Sequence, residues 1–404
     1  MLKILYISSL CSEKTLQYIY DTSINKPEQA AQKFHRLLAQ GLAMHEKLCS
    51  VTTLSTPPVV PSNHNRKLWR LAPEKVDNLK YRYVPFINLP IIKNIGIFIY
   101  TFFSVLFLTS FLNKGNKIVL CDVLNFTVSL SSLLASKLTG ATTVAIVTDI
   151  PGLMVTENKN EENKQSLYFT TITRMIQGFD RYVLLTEQMN LVVNPNNRPY
   201  IIMEGLVNIK MNKMENNLAL KNRLRTLIYA GGLYAKYGVK DLIEAFMLLD
   251  NQDVALHLYG AGEMTSEMPS YTNKDSRIIF KGMVPNKLVV QEQLSATLLI
   301  NPRPTNEEFT KFSFPSKNME YMVSGTPMIT TKLPGMPKEY YPFVYLFETE
   351  SVVGMMSTLK DVLNKSDEEL HHFGQEAKSF VLSKKNNYIQ ANRILDFLIA
   401  NKTE

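Results

Sequence analysis

Between Arg225 and Phe347 short apolar runs alternate with helical patterns and glycine turns, and this alternation restricts the fold more than any other feature of the chain. Arg225–Ala230 (RTLIYA) reads as a strand and runs into Gly231-Gly232. A helix is expected from Val239 to Leu249, with Leu242, Ala245, Phe246 and Leu249 at i, i+3, i+4 and i+7 on one apolar face. Ala255–Tyr259 is the next strand and ends in Gly260-Ala261-Gly262. Arg277–Lys281, Ala296–Ile300, Pro327–Thr331 and Val344–Phe347 follow. Runs of this length separated by helices predict a parallel sheet covered on both faces. In such sheets ligands bind beyond the carboxyl ends of the strands. Gly231-Gly232, Gly260–Gly262 and Arg303–Ser316 would converge at that edge.

Asn301–Gly325 (NPRPTNEEFTKFSFPSKNMEYMVSG) carries the chemistry. Its loop holds Arg303, Glu307, Glu308 and Lys311. Pro315 and Ser316 then open a helix whose inner positions are Met319, Met322 and Val323. Proline is tolerated in a first helical turn, and serine can satisfy a free amide there. The remaining amides and the macrodipole favour a phosphate or carboxylate. Glu320 lies one turn further in and is expected to be buried. Gly325 lets the chain turn out of the helix. In isolation the segment reads as a capped helix with solvated charges. Its place after a strand, among the other glycine turns, reads instead as a phosphate cradle.

Four segments in this order resemble the GT-B glycosyltransferases, specifically family 4: LIYAGGLYAKYGVKDLIEAF (227–246), LHLYGAGE (256–263), IIFKGMVP (278–285) and FPSKNMEYMVSGTPMITT (314–331). The N-terminal half matches more loosely, through VTDIPG (147–152), DRYVLLTEQM (180–189) and MEGL (203–206). The resemblance implies an α/β fold of two Rossmann-like, doubly wound parallel-sheet domains facing a cleft. It also implies a retaining transferase whose nucleotide-diphosphate sugar, UDP-linked, is a co-substrate rather than a cofactor.

Carried over residue by residue, the resemblance places the donor nucleotide and diphosphate at Gly231, Gly232, Gly260, Ser313, Phe314, Ser316 and Glu320. Glu320 takes the role of the later of two glutamates, on the ribose. The chain departs from the family in two places. Gly232 and Tyr237 stand where an Arg and a Lys usually contact the diphosphate. Lys236 is therefore the first candidate cation and Arg303 the second. Lys317 is the weakest, since its side chain can point outward from the helix. Phe312 stands where the earlier glutamate is expected, so Glu308, with Glu307 beside it, is the candidate for the donor sugar. An Asn or backbone amides could replace it. Asp149, in VTDIPG, is the acceptor-side candidate for catalysis, and a structural Asp capping Pro151-Gly152 is the other reading. Glu187 and Glu204 are further cleft candidates.

At 404 residues the chain suits two domains of about 200 each. The expected division is 1–206, a linker at 207–224, a donor domain at 225–385, and a terminal helix from 386 to 404 that the resemblance returns to the first domain. In the first half Leu2–Ile7 is a strand, Ser8–Lys26 a long polar loop and Glu28–Leu42 a helix. Strands are expected at Ser50–Leu54, Lys80–Val84, Lys117–Cys121, Thr143–Thr148, Arg181–Leu185 and Tyr200–Met203, and an exposed loop at Glu157–Gln165. Cys11, Cys49 and Cys121 have no metal-ligand spacing, which suits a reducing cytoplasm.

Several chemistries lack their motifs. There is no P-loop, no G-x-G-x-x-G after the first strand, no H-E-x-x-H and no Asp-x-Asp for a divalent metal. His257, inside an apolar strand, reads as a hydrogen-bonded core residue. No nucleic-acid signature accompanies the formal charge of +8. Preorganised cations would then have to stabilise the leaving diphosphate without a metal.

Ile95–Leu112 runs 18 residues without a charge, about 27 Å as a helix against a hydrocarbon core of about 30 Å. Before it, Arg66, Lys67, Arg70, Lys75, Lys80, Arg82 and Lys93 accompany Trp69, Tyr81, Tyr83 and Phe86. A cationic, aromatic belt beside an apolar helix, over 64–112, suits peripheral contact with an anionic membrane. A buried crossover helix and a membrane span are the other readings. The sequence thus leads to a cytoplasmic glycosyltransferase, peripheral on the inner face of the plasma membrane, that extends a lipid-linked glycan for surface polysaccharide. A nucleotide-sugar epimerase or hydrolase on the same fold, and a catalytically degenerate partner subunit, are the alternatives.

Overall fold

The structure, a computed structural model, describes residues 1–25, 30–110, 117–150 and 162–400. It divides into two compact units, Met1–Leu206 with Asn387–Glu404, and Val207–Asn386.

The first unit runs β1 (Leu2–Ser8), α1 (Glu13–Thr22), α2 (Ala30–Met44), β2 (Cys49–Ser55), β3 (Leu68–Trp69), β4 (Glu74–Val76), β5 (Leu79–Tyr83), β6 (Phe86–Ile87) and α3 (Ile92–Ser110). It continues with β7 (Lys117–Asp122), α4 (Phe126–Thr139), β8 (Thr142–Val147), α5 (Glu162–Ile176), β9 (Arg181–Leu184), α6 (Glu187–Val193) and β10 (Tyr200–Ile202). Eight strands form one sheet in the order β10-β9-β8-β7-β1-β2-β5-β4. All its pairs are parallel except β4 on β5. Central strands such as β7 are buried along their whole length, as continuous apolar runs require when both faces are covered.

Two expectations for this unit change, and one alternative falls away. The loop expected over Ser8–Lys26 contains α1. Ser12 caps it, its Oγ accepting from Thr15 N at 3.1 Å, and Leu16 and Ile19 are buried, while exposed polar residues between them hide the apolar pattern. The aromatic belt is not at the surface, because β5 alternates: Tyr81 and Tyr83 point inward, and Lys80 and Arg82 outward. Trp69 and Phe86, paired between β3 and β6, are buried too. The alternative of a buried crossover helix does not fit the apolar helix α3. Only Ile97, Thr101, Val105 and Thr109 are covered, a seam at four-residue steps against α4. The expected loop 157–165 lies outside the described residues as far as 161, and from Glu162 its backbone is helical.

The second unit runs β11 (Arg225–Ala230), α7 (Val239–Met247), β12 (Val254–Tyr259), α8 (Met268–Lys274), β13 (Ile278–Gly282), α9 (Asn286–Ser295), β14 (Leu298–Asn301), α10 (Ser316–Ser324), β15 (Met328–Thr330), β16 (Tyr345–Leu346), α11 (Val352–Leu363) and α12 (Asp367–Lys384). Its six-stranded parallel sheet has the order β13-β12-β11-β14-β15-β16. Alternate residues enter two cores. Leu227, Leu256, Leu298 and Ile329 face one side, with Leu242 and Phe246 of α7. Ile228, Leu299 and Met328 face the other, with Met319 and Met322 of α10.

Residues 207–224, expected as a linker, are anchored to this unit. Lys221 Nζ donates to Leu294 O, Ala296 O and Thr326 Oγ1, each at 2.9 Å. Asn216 Nδ2 donates to Ser324 O and Thr326 Oγ1, both at 2.9 Å. His257 is half-buried and its Nδ1 has no hydrogen-bond partner among the described residues, contrary to the satisfied core histidine expected. The last helix, α13 (Asn387–Ala400), belongs to the first unit. Tyr388 stacks on His45 at 4.1 Å, Gln390 Nε2 donates to Gly205 O at 2.7 Å, and Ile394, Leu395 and Leu398 are buried.

Candidate anion-binding site at the glycine turns

At the carboxyl ends of β11, β12 and β14 the backbone of three loops comes into contact. Gly260 has φ +122°, and a Cβ there would lie 1.9 Å from Gly231 O. Gly238, at φ +76°, would place a Cβ 2.1 Å from Pro302 O. Only glycine combines those angles with that clearance. Gly231 N donates to Tyr259 O at 2.9 Å and Leu233 N to Ala261 O at 3.0 Å, which locks the turns after β11 and β12 together. From α10, Tyr321 Oη accepts from Ala230 N at 3.0 Å and fixes that helix to the end of β11.

Lys317, the second residue of α10, does not point outward. Its ammonium lies over Gly231, where an added Cβ would fall 1.4 Å from Nζ. The Nζ is 3.4 Å from Tyr229 Oη and 4.6 Å from the centre of that ring. Burial strips the ammonium of water and the charge of Arg303 adds to the penalty, while Glu320 offsets part of it. Its pKa falls to about 7. Tyr229 Oη in turn donates to Gly232 O at 2.7 Å, so the glycine turn and the lysine share one support.

Arg303 and Lys236 are positioned by aromatic faces. The Arg303 guanidinium is 4.6 Å from the Tyr237 ring and 5.3 Å from Phe309. Lys236 is exposed, its Nζ 5.8 Å from Tyr234 and 5.9 Å from Tyr237. The loop carrying Arg303 is held by Thr331 Oγ1 donating to Arg303 O at 2.5 Å and by Thr305 N donating to Glu350 Oε2 at 2.9 Å. The aromatic partners Tyr237 and Phe309 were missed in the sequence. Their signal was available in Tyr237 standing at the family's lysine position.

The entrance to α10 is open to a ligand. Pro315 occupies the N-cap and offers no side-chain acceptor or donor. Ser316 is exposed, and Phe314 is buried against Tyr340 at 5.2 Å, so its ring anchors the loop. Two enclosed polar atoms here, Ser313 Oγ and Asn318 Nδ2, have no hydrogen-bond partner among the described residues. Buried polar atoms are nearly always satisfied, so an orphaned pair beside a helix start calls for a ligand or water. Glu320 is half-buried rather than buried, and its charge reaches Lys317 and Tyr321. Glu308 is exposed at the start of a short 3₁₀ turn, Glu308–Phe312, and among the described residues no hydrogen bond or ion pair joins it to the cluster. The turn aims Phe309, not Glu308, at Arg303.

In the first unit Asp149 follows β8, half-buried, with Oδ1 accepting from Ile150 N at 2.8 Å. Pro151-Gly152, the pair it caps in the other reading of the sequence, lie outside the described residues. Glu187 accepts from Tyr200 Oη and Glu204 is buried. Sequence reasoning missed a buried constellation at the ends of β1 and β7. Tyr6 Oη lies 2.8 Å from His35 Nδ1, and His35 Nε2 lies 3.3 Å from Asp122 Oδ2. The signal was an acid ending the apolar run KIVLCD.

Residues 224–365 match the family model for glycosyl transferases group 1. No curated protein sequence matches the chain. Sucrose-phosphate synthase from Thermosynechococcus elongatus is similar in structure over 99% of this chain and 100% of its own, with 13% identity and a TM-score of 0.65. HepE from Anabaena, solved in complex with UDP, covers 99% and 100% at 10% identity and a TM-score of 0.62. The lipopolysaccharide outer core galactosyltransferase WaaB, in its apo form, covers 99% and 100% at 14% identity and a TM-score of 0.60. The chain has the GT-B fold of these glycosyltransferases, and its residues 224–365 match the group 1 glycosyl transferase domain.

Proposed function

We propose that the chain transfers a sugar from a UDP-linked donor to a hydroxyl of a glycan acceptor, with retention of anomeric configuration. The observation that carries this reading is the Lys317 ammonium lying over Gly231, beside Arg303 and the uncapped start of α10. A diphosphate seated there meets two cations and free first-turn amides. As the bond from the anomeric carbon to the phosphate oxygen breaks, charge grows on the departing diphosphate, and these fixed groups stabilise it. The acceptor oxygen forms the new bond and its proton passes to a departing phosphate oxygen. Glu320, one turn into α10, accepts from the ribose hydroxyls. Asp149 orients the acceptor hydroxyl.

UDP as carrier is supported by the UDP held in the HepE structure of the same fold. A lipid-linked acceptor and a role in surface polysaccharide are supported by the likeness to WaaB, named for lipopolysaccharide. No step in this scheme needs a metal, since chain cations face the diphosphate. Work at the inner face of the plasma membrane follows from a lipid-linked acceptor.

The test is a panel of UDP-, GDP- and ADP-sugars scored first by thermal shift and then by turnover in excess chelator. UDP-sugars should raise the melting temperature, and transfer should persist without free metal. Turnover that appears only with magnesium or manganese would overturn the metal-free scheme. Epimerisation or hydrolysis that ignores the acceptor would overturn the transferase.

A further inference from the structure

Helix α3 presents an apolar face that the described residues of its unit leave largely exposed. Its buried seam, Ile97, Thr101, Val105 and Thr109, is held on α4, where Thr109 Oγ1 donates to Thr139 Oγ1 at 2.8 Å. On other sides Ile92, Ile95, Ile99, Phe103 and Phe107 are 51%, 55%, 51%, 61% and 66% exposed. These five recur at three- and four-residue steps, so they form one stripe about 22 Å long. Scattered exposed apolar residues are ordinary, but a continuous stripe marks a surface that something covers.

What covers it is indicated by charge. A groove of about 650 Å³ runs along α3, with Ile99, Phe103 and Phe107 on one wall and Arg82 and Pro85 on the other. Among the described residues no acid lines it. Lys80 shares the outward side of β5 with Arg82. Arg66, Lys67, Arg70 and Lys75, all exposed, lie in the segment between β2 and β5. The segment also holds two acids: Asp77 is exposed, and the half-buried Glu74 is engaged by Ser12 Oγ at 2.8 Å, Thr15 Oγ1 at 2.5 Å and Tyr83 Oη at 2.9 Å. An apolar stripe bordered by cations matches a layer of negative headgroups over hydrocarbon. A span across the bilayer is a poorer match, because β5 and β7, before and after α3, belong to one sheet.

We propose that α3 lies in the plane of an anionic bilayer surface, with Ile95, Ile99, Phe103 and Phe107 among the acyl chains and Lys80 and Arg82 at the level of the phosphates. The site serves the lipid-linked acceptor of the transferase reading, yet it can be read without turnover.

The experiment is co-sedimentation of the whole chain with phosphatidylglycerol–phosphatidylcholine vesicles and with phosphatidylcholine alone, at low and high salt. Two doubly substituted variants accompany it, Phe103→Ser with Phe107→Ser, and Lys80→Gln with Arg82→Gln. All four positions are exposed or edge residues, and melting temperatures check folding. The wild type should bind anionic vesicles about tenfold better than neutral ones, and salt should weaken that binding. The apolar pair should lose about tenfold with an unchanged melting temperature. The basic pair should lose the preference for anionic lipid. Wild-type vesicle binding by the apolar pair would overturn the proposal. So would a concentration-dependent dimer that this pair dissociates, which would make a second copy the cover. Resistance of the wild type to carbonate extraction would replace a lying helix by a spanning one. Vesicle binding as expected without any sugar transfer would leave the docking surface standing and remove only the transferase reading.

Discussion

The carboxyl edges of the two sheets hold their charged groups in different ways. In the first unit the buried acids are partnered, although Thr56 Oγ1 and Thr148 Oγ1 have no hydrogen-bond partner among the described residues. Tyr6, His35 and Asp122 form one buried set, and Ser12, Thr15 and Tyr83 converge on Glu74. In the second unit Lys317 is stripped of water, α10 starts without a side-chain cap, and Ser313 Oγ and Asn318 Nδ2 are left without partners among the described residues. A closed network adds stability, whereas an open cationic one stores electrostatic work that an incoming anion releases. The first edge is built for stability, and on the proposed function the second is where the nucleotide binds.

The largest effect should come from breaking the closed network. Burial alone would raise the Asp122 pKa, but the charge of His35 and the hydrogen bonds to Asp122 overcome it and hold that carboxyl below its usual range. A depressed carboxyl contributes stability that is present above its unfolded pKa and is lost as pH falls through the folded value. Asp122→Ala should therefore cost about 3–5 kcal/mol, because it leaves a buried partner uncompensated. Urea unfolding at pH 7 and below the ordinary Asp pKa of about 4 measures both parts. The variant should unfold at lower urea and should lose part of the acid dependence of the wild type. An unfolding midpoint equal to the wild type would show the network to be dispensable and erase the contrast.

Much of the second unit was legible because its strands are buried on both faces and its glycine turns are spelled out. Gly231, Gly260 and the start of α10 fall where the sequence puts them. The direction of Lys317 was not legible. A helix period fixes which residues turn inward, but not that a long side chain bends back over a glycine one strand away. Glu320 was misjudged as buried for the same reason, since its exposure depends on neighbouring loops rather than on α10 itself. In the first unit α1 hid behind its polar face, and the inward Tyr81 and Tyr83 of β5 were read as a surface belt because that strand alternates buried and exposed residues. Asp122 and His35, more than eighty residues apart in sequence, meet only through the sheet register.

The open edge should fail next, without unfolding. Glu320 is half-buried on α10, so Glu320→Ala removes an acceptor while leaving the helix core of Met319 and Met322 intact. A charged acceptor shared by two hydroxyls contributes about 3 kcal/mol, which is about a hundredfold in kcat/KM. The melting temperature without nucleotide should stay at its wild-type value, while the thermal shift given by UDP should shrink. A variant that keeps the full UDP shift would remove Glu320 from the nucleotide site.

The smallest expected effect is the most specific to Lys317. Its pKa of about 7 means that the free protein loses this positive charge as pH rises through neutrality. The alkaline side of the kcat/KM profile, which reports the free enzyme, should therefore fall near pH 7. A bound diphosphate favours the charged ammonium and raises its pKa, so the same limb in kcat should lie at higher pH. Lys317→Met should lower kcat/KM at pH 6.5 by about tenfold and should abolish that alkaline limb. Lys317→Arg, charged at every pH, should also lack the limb while keeping part of the activity. If Lys317→Met retains a wild-type limb, the titrating group is elsewhere. The ammonium over Gly231 would then belong with the closed, stabilising networks of the first unit, and the contrast between the two edges would narrow to the orphaned Ser313 and Asn318 atoms.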